Sequence, residues 1–272
     1  MSEVTKLGSK VDYSSQYDRT QLEVFPRAIR RTEFKAPMYG GDIWTCFEVS
    51  FLRENGCPEF HILRIMNPAD SEYIFESKSL KLYLNSFNNT KFSGIDEVIN
   101  TIQIDLSQGV KSEVIVKEVI NGFKPSLHHM YSYDFLSSEL EVDSYTYKPE
   151  LLEAEEDSDS LILSSNLLRS NCEVTNQPDF ANIQIHYESE KYSLSIRSLL
   201  KYIVSFRNHQ EFHEPTCERI YNDLYNLLQP EKLIVICQYT RRGGIDINPI
   251  RTNIKDFDIN RLILDLPKQL QQ

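Results

Sequence analysis

The sequence predicts an α+β protein built from two tandem modules, each an antiparallel sheet with helices on one face. Three observations carry this. A helical stripe near residue 80 recurs near residue 199. Each copy is followed by a second helical stripe and a β-rich run. Each is preceded by segments that alternate with period two. Strands that come in runs, with helices between them, favour antiparallel sheets over a doubly wound parallel sheet.

In chain order, Ile43, Thr45, Phe47, Val49 and Phe51 alternate with Trp44, Cys46, Glu48 and Ser50, which predicts a strand with one wet face. In Ser79–Phe87 the apolar residues Leu80, Tyr83, Leu84 and Phe87 fall at i, i+3, i+4 and i+7, one face of a helix. Val98, Ile99, Ile102 and Leu106 mark a second helix, and Ser112–Val119 a strand. These elements make residues 1–140 the first module. Residues 141–161 include the acidic run Glu150–Ser160, which has no apolar period and reads as a linker or surface loop. The second module occupies 162–272. Ile183, Ile185 and Tyr187 alternate with Asn182, Gln184 and His186. Ser198–Phe206 then repeats Ser79–Phe87 at a distance of 119 residues, with Leu199, Tyr202, Ile203 and Phe206 as its stripe. Cys217, Ile220, Leu224 and Leu228 mark the last long helix and Lys232–Thr240 a strand. Two copies are too few for a solenoid.

Composition narrows the function. Of 272 residues, 40% are hydrophobic and 25% charged, and the net charge is -11. Such a surface repels phosphate backbones and disfavours a direct nucleic-acid binder. No run approaches about 18 apolar residues, so no membrane span is expected. The N-terminal stretch has no apolar core, so no secretory leader is expected and the cytoplasm is the predicted compartment. The cysteines Cys46, Cys57, Cys172, Cys217 and Cys237 are odd in number and form no CxxC, which argues for reduced thiols and against a structural zinc site. No metal is expected.

The two copies differ where chemistry would sit. The first opens its helix with Glu76-Ser77-Lys78, the second with Ser195-Ile196-Arg197. Only the second carries the polar run from Ser170 through Cys172 to Asp179, and only its helix is followed by His213-Glu214. A complete set of polar groups therefore needs both halves. Each residue also has a plainer explanation. A free cysteine is commonly a small buried hydrophobe. Asp179 after Pro178 suits a turn, and Glu214 suits the first turn of a helix. Glu76-Ser77-Lys78 is an ordinary helix start, and Arg241-Arg242-Gly243-Gly244 an ordinary hairpin. His209 has a weaker case than His213, and His128-His129 reads as a loop. The other four cysteines sit in apolar patterns and are expected to be inert. No GxGxxG follows a strand, so a Rossmann cofactor site is unsupported.

Four stretches taken together, ESKSLKLYLNSF, SNCEVTNQPD, SFRNHQEFHE and TRRGGIDINP, resemble the motifs of the QueF nitrile reductases, in the order of their two-module subgroup. The likeness runs from about Gly41 to Arg251. Glu173 departs from it, standing where many relatives carry an apolar residue or proline. The resemblance implies the tunnelling fold shared with GTP cyclohydrolase I, a symmetric assembly expected to be a homodimer, and NADPH as reductant, two per turnover. It implies reduction of 7-cyano-7-deazaguanine to the 7-aminomethyl base, a step toward queuosine in tRNA. Cys172 would be the nucleophile that forms a thioimide, Asp179 the general acid, and His213 an orienting or proton-relaying group. Glu214 would accept two N–H groups of the base. Phe75, Glu76 and Ser77 would close the pocket from the other module. Ser77, Lys78, Ser79, Arg242 and Gly243 would meet the cofactor. Two enzymatic alternatives remain open on the residues alone: a zinc-dependent hydrolase of the same fold, and a thiol hydrolase acting on nitriles. A third is a non-catalytic purine-binding module.

Overall fold

A computed structural model of the chain describes Ser14, residues 16–125, residues 131–269 and Gln272. The predicted loop at His128-His129 lies outside these residues. The first module runs β1 (Val24–Pro26), β2 (Tyr39–Arg53), β3 (Pro58–Pro68), β4 (Tyr73–Phe75), α1 (Ser77–Asn85), β5 (Lys91–Phe92), α2 (Ile95–Val110) and β6 (Ile115–Glu118). The second runs β7 (Ala154–Glu156), β8 (Asp159–Asn171), β9 (Pro178–Ser189), β10 (Tyr192–Leu194), α3 (Ile196–Ser205), α4 (His213–Leu228), β11 (Lys232–Tyr239) and β12 (Ile245–Thr252), followed by α5 (Ile259–Asp265). This is the predicted α+β architecture in two copies.

The helical stripes are buried as their spacing demands. Leu80, Tyr83, Phe87, Val98, Ile102 and Leu106 pack in one core, and Leu199, Tyr202, Phe206, Ile220, Leu224 and Leu228 in another. Each such side chain contributes about 1.5–3 kcal/mol by leaving water. The duplication extends to details that no hydropathy pattern displays. Tyr83 donates to Asp105 at 2.7 Å, and Tyr202 donates to Asp223 at 2.5 Å. Strand β2 slips register between Cys46 and Val49, and β8 slips between Ser165 and Leu168, again 119 residues on.

One antiparallel sheet passes through both modules in the order β6-β3-β2-β12-β11-β9-β8, with β5 added in parallel to the end of β2. The modules join where β12 pairs with β2, from Cys46 opposite Ile245 to Tyr39 opposite Thr252. Gly40 permits that approach: its φ is +103°, and a Cβ there would lie 2.4 Å from the Ile250 carbonyl oxygen. Two expectations are corrected. Glu150–Ser160 is not merely a loop: its residues form β7, which pairs with β10, and begin β8, which pairs with β9. β7 and β10 reproduce the β1–β4 ribbon of the first module. Edge strands tolerate acidic side chains because they keep a solvated side. The strand β2 also lacks a wet face over its middle. Residues on both of its faces are covered, with Ile43 at 0% and Trp44 at 1% exposure, because the α5 segment brings Ile263 and Leu266 against Ile43 and Met66.

A buried ionic cluster sits at the seam. Asp42 on β2 binds Arg27 at 2.5 Å and Arg251 of β12 at 2.7 Å. Glu218 of α4 accepts from Arg251 at 2.6 Å and from both Arg31 nitrogens at 2.8 and 2.5 Å. Among the described residues, no helix is long and apolar enough to cross a membrane.

Candidate active site

At the seam lies a cavity of about 260 Å³ walled by both modules. From the first come Phe75, Ser77 and Lys78, and from the second Cys172, Asp179, His213, Glu214, Arg242 and Gly243. Residues chosen from four separate stretches of sequence thus meet around one space.

Each is placed by a local rule. Cys172 follows β8 in a tight turn: its N–H donates to the Gln177 carbonyl at 2.8 Å, and its carbonyl accepts from Asn176 N–H at 2.9 Å. Asn176 takes the left-handed conformation that this turn requires, at φ 55°. The thiol is half-buried. Asp179 is the second residue of β9, opposite Ser170, and is 3% exposed. His213 and Glu214 open α4. The His213 ring stacks on Tyr239 with centroids 3.8 Å apart, and its Nε2 lies 3.3 Å from Asp179 Oδ1. Gly243 and Gly244 form the two-residue turn between β11 and β12, at φ 55° and 79°, and Arg242 and Ile245 exchange both backbone hydrogen bonds. Two positive φ values in a two-residue hairpin explain why glycine occupies both places.

Glu214 is the electrostatic centre. Its carboxyl is buried, and Oε1 has no hydrogen-bond partner among the described residues. Burial first, and then the charge of Asp42, push its pKa up to about 8, against the pull of Arg27 and Arg251. One turn further along α4, burial also opposes the charge of Glu218. There Arg251 and Arg31 prevail and hold the carboxyl at about 2.

Two predicted residues do not reach the cavity wall. The Glu76 carboxylate caps α1, accepting from Lys78 N–H at 2.9 Å and Ser79 N–H at 2.6 Å, so the helix start engages both oxygens. Ser79 is fully buried, and its hydroxyl donates to the Glu76 and Glu23 carbonyls. Several wall residues were not anticipated, Trp44 and Phe212 among them. Trp44 is 1% exposed, with its indole Nε1 unpartnered among the described residues. Phe212 immediately precedes His213 and stacks on Phe25 at 5.6 Å. Position beside His213 was the available signal for Phe212. Trp44 had none, since the alternation sets it with Cys46, Glu48 and Ser50, opposite the apolar face of the strand. Of the four cysteines expected to be inert, Cys46, Cys217 and Cys237 are buried, whereas Cys57 is exposed beside the β2–β3 turn. Among the described residues, no three His, Cys, Asp or Glu side chains are grouped to hold a metal ion.

Residues 13–118 match the family described as nitrile reductase, 7-cyano-7-deazaguanine-reductase N-terminal, and residues 178–257 match QueF-like protein. The chain belongs to the QueF nitrile reductase family, with two modules in one chain. QueF membership makes it an oxidoreductase and supports action on 7-cyano-7-deazaguanine in queuosine biosynthesis. The solved structures similar to the chain include the archaeosine synthase QueF-Like in its apo form. It is 15% identical with a TM-score of 0.31, and the match covers 36% of this chain and 94% of that one.

Proposed function

We propose that the chain reduces the nitrile of 7-cyano-7-deazaguanine to a primary amine through a covalent bond to Cys172, with NADPH as the reductant. The observation that supports this most is the meeting of a half-buried thiol, a buried Asp–His pair and an unpartnered buried carboxyl in one cavity.

Glu214 binds the base. The ring N–H and exocyclic amine of a deazaguanine lie side by side, and one carboxylate can accept from both. Oε1, otherwise a buried acceptor without a donor, then gains its partner. Phe75 and Phe212 contribute apolar wall. With the ring held, the nitrile carbon lies toward Cys172. The sulfur of Cys172, reacting as the thiolate, bonds to that carbon, one carbon–nitrogen π bond opens, and Asp179 gives its proton to the nitrogen, yielding a thioimide. NADPH, when bound, supplies hydride to the substrate carbon at each of two reductions, four electrons in all. Cys172 is released as thiolate when the once-reduced adduct collapses to the imine. His213, stacked on Tyr239 and beside Asp179, is placed to pass a proton to the nitrogen. The residues at the mouth fit an anionic nucleotide. Lys78 and Arg242 bring positive charge, and a Cβ at Gly243 would meet nothing within 4 Å, so open space lies beside that backbone. Ser77 and Lys78 would hold it from the first module, and Arg242 and Gly243 from the second. A second copy of the chain is the proposed partner.

The test is reductant consumption on adding the cyano base, with intact mass to detect the adduct. Cys172→Ala should abolish turnover and the adduct while still binding the base. Turnover by that variant would remove the thiol from the mechanism, and ammonia release without loss of NADPH would replace reduction by hydrolysis.

A further inference from the structure

The arginine read as a cofactor contact is already engaged. Arg242 Nη2 lies 2.9 Å from Asp179 Oδ1 and also donates to the Pro178 carbonyl, and Nη1 donates to Gln177 Oε1 at 3.4 Å. Both terminal nitrogens of the guanidinium therefore point into the corner where β9 leaves the Cys172 turn. A fork committed there cannot grip a phosphate at the same time. Asp179 meanwhile faces two nitrogen-bearing side chains, the Arg242 guanidinium from the β11–β12 turn and the His213 ring from α4, with Tyr239 of β11 beside them. A carboxyl that must hand over a proton is poorly served by a guanidinium, which pairs with its anion.

We propose that Arg242 is shared between Asp179 and the anionic cofactor, leaving the carboxylate when the nucleotide binds, so that cofactor binding and the readiness of Asp179 to carry a proton are coupled. This rests on the nitrile reductase reading of the cavity. Arg242 acts as a positioning residue toward Asp179 and as a contact toward the nucleotide. The side chain is about one-third exposed, so the exchange needs only a rotation of an accessible group at a hairpin tip. Coupling of this kind is reciprocal: what the nucleotide does to Asp179, loss of the Asp179 charge must do to nucleotide binding.

The experiment measures NADP⁺ binding to the full chain by calorimetry; the oxidised form is chosen so that no reduction can run. Asp179→Asn should tighten NADP⁺ by about 2- to 5-fold, the scale of a partly exposed ion pair. Arg242→Gln should weaken binding, and adding Asp179→Asn to it should bring no gain, because the gain passes through the arginine. Thermal melts verify that all three variants fold. In parallel, adduct formation between wild-type protein and the cyano base should speed up with NADP⁺, and in Arg242→Gln should be indifferent to it. The inference is overturned if Asp179→Asn leaves NADP⁺ affinity unchanged or lowers it. A gain that persists without Arg242, the mark of simple charge repulsion, would overturn it too. Adduct that forms in the wild type at a rate indifferent to NADP⁺ refutes the coupling alone; no adduct at all refutes the site reading as well.

Discussion

If Glu214 accepts the base as proposed, its raised pKa makes binding depend on pH in a calculable way. The base offers two N–H donors, so it binds the carboxylate and not the neutral acid. With the pKa at about 8, the carboxyl in the unliganded cavity is neutral to ionised by about ten to one at pH 7. Its ionisation then weakens apparent affinity by about 11-fold at pH 7, about 2-fold at pH 8 and hardly at all at pH 9. Calorimetry on Cys172→Ala, which should bind without reacting, reads this directly. Affinity should rise about tenfold from pH 7 to pH 9, and comparison of buffers with different ionisation heats should show close to one proton released per base at pH 7. Glu214→Gln should bind weakly at every pH, with a flat profile. Flat affinity in the parent over that range, or proton uptake on binding, would refute the argument. The same shift acts on folding. Because folding raises this pKa from 4.5, the contribution of Glu214 to stability is complete below pH 4.5 and is lost as pH climbs through about 8.

Two further outcomes concern the seam. Arg251→Met leaves the buried Asp42 and Glu218 with Arg27 as the cation that still spans both, and the loss of Arg251 should cost about 3–5 kcal/mol, read as a lower denaturation midpoint; a loss under about 1 kcal/mol would mean that Arg27 and Arg31 suffice. Gly40→Ala should disrupt the β2–β12 pairing, since its Cβ would strike backbone. By contrast Gly243→Ala meets open space and should cost only the left-handed penalty of about 1–2 kcal/mol. Equal melting temperatures for the two variants would contradict that contrast.

Much of the fold was legible because it rests on local periodicity. Leu80, Tyr83, Leu84 and Phe87 have a spacing that only a helix turns into a face, and the copy at Leu199–Phe206 doubled the signal. The residues that meet in the candidate cavity were legible through residue types, since Cys172, Asp179 and His213-Glu214 stand in motif order. The acidic segment was misread because charge was taken as the mark of a loop, whereas β7 and the start of β8 need only a pairing partner. The covered face of β2 was missed because its cover, α5, arrives from more than 200 residues away.

What the chain by itself determined is the set of elements, their duplication and the reactive groups available, since periodicity and residue chemistry are local properties. Tertiary structure alone decided that β12 would pair with β2 and so bring Phe75, Ser77 and Lys78 to the cavity of Cys172. It also decided that Glu76 would cap a helix, that Arg242 would hold Asp179, and that Glu214 and Glu218, one turn apart, would titrate at about 8 and about 2. Those outcomes depend on desolvation and on charges brought close from distant parts of the chain, and neither is written in the order of residues around them.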